Sequence, residues 1–208
     1  HPIAEQLAGL RGKSRRDEQL VALLPGSRQR EVEKIFPVML GAAAEMTKLK
    51  PGIRFAAAAS GGELAERMRA MASERGVDCS VGVGNAHELM ATACCAAVAS
   101  GTATLESAFL GLPYCLVYRV SWPTYHVARA LMAVDYLGMA NLLAGRELVR
   151  EFLQGDAVAE TVSAELLRLS QSEEEREKLG RELQEVTAPL AELGAYQRAA
   201  AATLEEGL

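Results

Sequence analysis

The chain has 208 residues, half of them hydrophobic and only 5% aromatic, with 24% charged residues and a formal net charge of -5. That hydrophobic content excludes a disordered chain, and a length about 1.4 times that of a ~150-residue domain fits one domain with an appendage around an aliphatic, alanine-rich core. Residues 1–104 carry 13 Lys/Arg against 11 Asp/Glu and residues 105–208 carry 9 against 16, a balance that argues against nucleic acid as a partner.

The chain opens on His1 and Pro2, as a processed or excised piece would, and no signal peptide is expected. The basic cluster from Arg11 to Arg16 reads as a solvated linker or as a contact for an anionic surface. Short apolar runs then alternate with amphipathic segments, the rhythm of βα units. The runs Gln19 to Leu24, Ile53 to Ala59, Cys79 to Val83, Ala96 to Ala99 and Tyr114 to Tyr118 are mostly continuous, as parallel strands covered on both faces are. Helices are expected at Arg30 to Lys48, Glu63 to Arg75, Ala86 to Thr92 and Thr104 to Leu110, with Gly76 and Gly111 as stops. The expected fold class is therefore α/β, a doubly wound Rossmann-like parallel sheet of five strands.

After Tyr118 turn formers and aromatics gather, with a short helical stretch near Tyr125 to Val134, and the segment reads as site-bearing. From Val158 the chain is charged and helical, with a solvated face from Glu173 to Lys178. Pro189 is expected to open a last helix, Leu190 to Leu204, whose stripe of Leu190, Leu193, Tyr196, Ala200 and Leu204 needs a partner. That partner is either this domain's own sheet or a second copy of the chain in a homodimer.

Function classes fall away next. The longest uncharged stretch, Leu89 to Leu105, is shorter than the about 20 apolar residues of a spanning helix and contains Ser, Gly and Thr. Cys79, Cys94, Cys95 and Cys115 show no C-x-x-C spacing, which suits small hydrophobes in a reducing cytoplasm. His1, His87 and His126 have no i,i+4 partner, so no zinc site can be written and neither metal nor cofactor is expected.

In an open parallel sheet, ligands bind beyond the carboxyl ends of the strands, so the strand-to-helix turns hold the candidates. In LLPGSRQREVEK, Gly26 permits close backbone approach, Ser27 is placed to cap the following helix, and Arg28 is a cation at a helix start. A cation there opposes the helix dipole unless an anion sits on the free amides, so Arg28 points to a phosphate. A Pro-Gly turn compensated by Glu31 and Glu33 explains the same residues without a ligand.

The second turn, VASGTATLES, sets Ser100, Gly101, Thr102 and Thr104 before Glu106. Small hydroxyls around a glycine suit a diphosphate, and a carboxylate one turn along accepts both hydroxyls of a ribose. A hydroxyl-capped helix with Glu106 in its first turn is the plainer reading. Neither a Walker loop nor G-x-G-x-x-G is present. Tyr118 and Arg119 end the last strand on the same edge, where Tyr118 completes a pocket or packs, and Asn141 to Glu147 join an amide, a cation and a carboxylate in a predicted loop.

Together the strings LPGSRQREVEK, ASGTATLE and NLLAGRELV resemble one family, lipid-A-disaccharide synthase, a glycosyltransferase of the two-domain GT-B fold, over Leu20 to Leu153. This chain departs from the family's pattern at Ala140, where a proline usually stands. The resemblance implies the C-terminal, nucleotide-sugar-binding half, with residues 1–18 the end of an interdomain linker, 19–188 the UDP-sugar-binding domain and 189–208 a crossover helix.

It also implies a hexosyltransferase that moves diacylglucosamine from UDP-diacylglucosamine to diacylglucosamine 1-phosphate, releasing UDP. Arg28 would stabilise the leaving group, Gly26, Ser27, Ser100, Gly101, Thr102, Thr104 and Tyr118 would line the UDP pocket, and Glu106 would hold the ribose. Asn141 and Glu147 would position sugar or diphosphate. The general base and the acceptor site would belong to an N-terminal half, so this chain alone would be inactive. The intact enzyme would be cytoplasmic and peripheral on the inner membrane. A UDP-sugar epimerase, another GT-B transferase or a non-catalytic nucleotide sensor are the alternatives.

Overall fold

The computed structural model describes Leu7, Gly9, Leu10 and residues 15–120 and 136–191. In chain order the elements are β1 (Asp17–Leu24), α1 (Gln29–Leu49), β2 (Arg54–Ala59), α2 (Gly62–Glu74), β3 (Cys79–Val83), α3 (Ala86–Thr92), β4 (Ala93–Ala99), α4 (Thr102–Phe109), β5 (Tyr114–Tyr118), α5 (Met139–Ala144), β6 (Glu151–Leu153), α6 (Ala159–Gln171) and α7 (Glu173–Thr187). The strands form one parallel sheet in the order β3-β2-β1-β4-β5-β6. The α/β doubly wound expectation holds, and all five expected strands are present.

The sixth strand was not expected. Glu151–Leu153 has three half-buried residues and no apolar run, and it is a strand because β5 offers it an edge: Leu116 pairs with Glu151 and Tyr118 with Leu153. The helix expected near residues 125–134 and nearly all of that expected at 190–204, with its apolar stripe, lie outside the described residues. Among the described residues no helix is long and apolar enough to cross a membrane.

Alternation along the strands sorts the core into two layers. Val21 and Leu23 of β1 pack under α1, α2 and α6, whereas Ala22 and Leu24 pack with α3, α4 and α7 on the other face. The alanines of β2 and β4 leave room for helices to lie close, so large side chains such as Phe36, Met39 and Leu40 come from the helices. α1 even runs through Pro37, because nine buried residues hold it down against a helix-interior proline cost of about 3 kcal/mol.

Two polar clamps close the domain, and both correct the sequence reading. Arg16 is not a solvated linker residue: its Nη1 donates to the Met90 and Ala93 carbonyls at 2.8 and 2.9 Å and its Nη2 to the Leu110 carbonyl at 2.8 Å. One guanidinium thus serves the carboxyl ends of α3 and α4, where free carbonyls and the helix dipoles favour a cation. Burial pushes Arg16 down to about 10, so it remains a cation at neutral pH. Likewise the segment Glu173 to Lys178 is not uniformly solvated, since Arg176 is buried and donates to the Leu169 carbonyl at the end of α6.

The second clamp is Asn141, which is fully buried. Its Nδ2 donates to the Val149 carbonyl and to Glu151 Oε1, both at 2.8 Å, and its Oδ1 accepts from the Leu148 and Val149 amides at 2.7 and 3.0 Å. Glu151 in turn accepts from the Leu137 and Gly138 amides ahead of α5. Asn141 has two donors and two acceptor lone pairs, and all four are spent on the loop that follows α5 and on Glu151 of β6.

These contacts set two expectations for stability. Asn141→Ala orphans two buried amides and a carbonyl and is expected to lose about 3 kcal/mol, a fall of about 6–12 °C in melting temperature by circular dichroism. Arg16→Met is expected to lose about 2–3 kcal/mol in urea unfolding, since three helix-end carbonyls lose a charged donor. An unchanged midpoint in either variant would remove that clamp from the account.

Candidate functional site

The strand order turns back at β1. The chain winds outward from β1 through β2 to β3, then crosses by α3 to β4 on the other side of β1. The turns after β1 and β4 therefore stand side by side at the carboxyl ends of the strands, and a cavity of about 440 Å³ opens between them. A second cavity of about 460 Å³ is lined by Arg15, Arg16 and Glu18 at the start of β1, the wrong end of a parallel sheet for a ligand crevice.

Gly26, Ser27, Arg28, Ser100, Gly101, Thr102 and Glu106 all line the first cavity, so residues from two separate strings meet there. Gly26 has φ +105°, a backbone conformation that strains any residue with a side chain, and a Cβ on it would also crowd the Glu31 side chain. Gly101, the N-cap of α4, has φ +150°. A hydrogen bond from Ser60 Oγ to the Ser27 carbonyl at 2.9 Å ties the turn after β2 to that after β1.

Two local details differ from expectation. Ser27 does not cap α1; the helix begins at Gln29, the N-cap is Arg28 in extended conformation, and no side chain bonds the first-turn amides. Glu106 lies in the second turn of α4, because that helix begins at Thr102 rather than at Thr104. Both helices thus start at the cavity with amides uncapped by side chains, which is where an anion gains most from the dipole. The Arg28 guanidinium, 82% exposed, is held by Glu31 at 3.0 Å.

Four expected residues do not line this cavity. Thr104 is buried and its hydroxyl donates to the Gly101 carbonyl at 2.7 Å, closing the first turn of α4. Tyr118 packs, half-buried, against the β4–α4 side of the core. Asn141, expected in a loop, lies in α5 and is consumed by the segment that follows it, on which Glu147 is exposed. Conversely, His87 was passed over once zinc was excluded, yet it lines the cavity with its Nε2 3.3 Å from Glu106 Oε2. Its position in α3 gives no sign of this, because only the crossover from β3 to β4 brings that helix to the crevice.

Chemically, the cavity offers the Arg28 cation, the starts of α1 and α4 and the hydroxyls of Ser27, Ser60, Ser100 and Thr102 to an anion, and a carboxylate to hydroxyl donors. Among the described residues no group of three or more His, Cys, Asp or Glu side chains is placed to hold a metal ion.

Comparison with known proteins bears on the family and the fold. Lipid-A-disaccharide synthase of Persephonella marina is 34% identical over 190 residues, 89% of this chain and 50% of that protein. The enzyme of Myxococcus xanthus is 36% identical, over 91% of this chain and 50% of its own length. The chain thus spans about half the length of these relatives. Among solved structures, Staphylococcus aureus TarM, crystallised with UDP, superposes with a TM-score of 0.62 at 9% identity, covering 88% of this chain and 34% of that one. Acinetobacter baumannii MurG gives 0.55 at 14% identity, over 96% of this chain and 52% of its own. At such identities these two share the fold alone, a doubly wound α/β domain. The sequence pattern of the lipid-A-disaccharide synthetase family matches residues 1–205, and the chain belongs to that family.

Proposed function

We propose that this chain is the donor-binding part of a lipid-A-disaccharide synthase and holds the UDP of a UDP-diacylglucosamine donor in the cavity between β1 and β4. The observation that carries the reading is the meeting of Arg28 and two uncapped helix starts on one side of that cavity with the Glu106 carboxylate on the other. The diphosphate lies against Arg28 and the amides of α1 and α4, and the ribose hydroxyls bond to Glu106. In the intact enzyme the diacylglucosamine passes to the 6-hydroxyl of a diacylglucosamine 1-phosphate and UDP leaves.

Leaving-group departure concentrates charge on the diphosphate. Preorganised donors aimed at such charge contribute about 2.7–4 kcal/mol each in favourable cases. Arg28 is available for this because its exposed pair with Glu31 is worth only about 0–1 kcal/mol and is readily exchanged for phosphate. The acceptor site and the general base for the acceptor hydroxyl are assigned to a preceding domain, joined through the residues ahead of Arg16, with residues 189–208 as the crossover helix. Peripheral contact with a membrane belongs, in this reading, to the intact enzyme. Asn141 serves by holding the loop from α5 to β6 against the sheet.

Titration calorimetry tests the assignment. UDP is expected to bind the chain and ATP much more weakly, and equal affinities would defeat a pyrimidine site. Arg28→Ala is expected to weaken UDP about 10- to 100-fold while uridine changes little, because a charge-assisted contact to phosphate is worth about 1.5–3 kcal/mol. Equal losses for both ligands would move Arg28 away from the diphosphate.

A further inference from the structure

The nucleotide reading gives Glu106 a role but leaves its neighbour in the cavity, His87, without one. His87 stands in the first turn of α3, and α3 packs across β1, β2 and β4 on its way back from the sheet edge, which brings that turn to the crevice. Its Nε2 lies 3.3 Å from Glu106 Oε2, with the histidine side chain 40% exposed and the carboxylate 17%. Among the described residues His87 is the one basic side chain within 4.0 Å of Glu106, while the Arg28 guanidinium is engaged with Glu31.

A glutamate has three side-chain torsions, and a carboxylate that must receive a vicinal diol needs both oxygens turned toward it. A carboxylate offers about four lone-pair sites. A donor on one of them, at Oε2, fixes the plane of the group and leaves the others free for two hydroxyls. His87 Nε2, 3.3 Å from Oε2, is the group placed to be that donor: with the proton on Nε2, in the neutral tautomer or the imidazolium, a small rotation of the ring directs it at the carboxylate.

Resting on the nucleotide reading above, we propose that His87 is a positioning residue for the donor's ribose: it orients the Glu106 carboxylate so that the site recognises the ribose diol and discriminates against 2′-deoxyribose. The ring acts on the sugar through Glu106 and not by contact with the base. Glutamine is the conservative substitute, since its amide nitrogen stands about as far from the backbone as Nε2 and donates in the same direction.

The test is the ratio of dissociation constants for 2′-deoxy-UDP and UDP, measured by calorimetry on the full chain and on its His87→Ala and His87→Gln variants. The chain itself is expected to prefer UDP by about 10-fold or more, the scale of one hydrogen bond to a charged group. His87→Ala is expected to reduce that preference to about 2-fold or less, and His87→Gln to restore most of it. A ratio unchanged in His87→Ala overturns the proposal. So does an equal loss of affinity for both nucleotides, which would mean that the ring stacks on the base or only supports the fold. If the unsubstituted chain bound neither nucleotide, the reading of the cavity would fall, and the role of His87 with it.

Discussion

The arrangement rests on β1 being flanked by β2 on one side and β4 on the other, all three parallel. A parallel connection needs a crossover, and crossovers to opposite sides of one strand send their helices to opposite faces of the sheet. The first-turn residues of α1 and α4 must then diverge from a common point, leaving a crevice that no side chain from within the sheet can fill. β1 is therefore buried on both faces at its carboxyl half, and Gly26 has to turn there without a Cβ. Every feature of the candidate site, from the free amides to the approach of α3, follows from that reversal.

The same sheet treats its two ends differently. At the amino ends of the strands, helices finish, and their carbonyls are taken up by cations: Arg16 for α3 and α4, and Arg176 and Lys50 for α6. At the carboxyl ends, helices α1 and α4 begin without side-chain caps. Helix dipoles make both choices intelligible, since cations belong at the carboxyl termini and anions at the amino termini. The protein supplies its own counter-charge at one end and leaves the other open to a ligand.

Within the cavity, the two charged couples differ in kind. The Arg28–Glu31 pair is exposed, local to one helix turn and weak, so an anion would exchange with it at little cost. The His87–Glu106 pair joins two elements from different crossovers, and its carboxylate is largely enclosed. A loose cation beside a held carboxylate suits a ligand with an anionic part and a hydroxyl-bearing part, as a nucleoside diphosphate is.

How much of this was legible in the sequence depended on whether the signal was local. Continuous apolar runs such as VALL and CLVY mark parallel strands because burial on both faces leaves no alternation, and Gly76 and Gly111 follow the helices they were expected to stop. The two turns carrying Arg28 and Glu106 were readable as ligand candidates because glycine, hydroxyls and charge sit within a few residues of each other. What no local pattern encodes is which turns become neighbours. Strand β6 exists only because β5 offers an edge, and Arg16 is a clamp only because α3 and α4 end beside it. Asn141 looked like a ligand residue from its company in sequence, and tertiary contacts turned it inward to its own loop. His87 became a site residue through a crossover that carries α3 over three strands. Sequence alone determined the first five strands and the helices between them, their layer type and the two chemically loaded turns, since these depend on periodicity and on residue type at short range. Tertiary structure alone decided which charges face one another, because that depends on strand order, and strand order is set by the packing of the whole sheet.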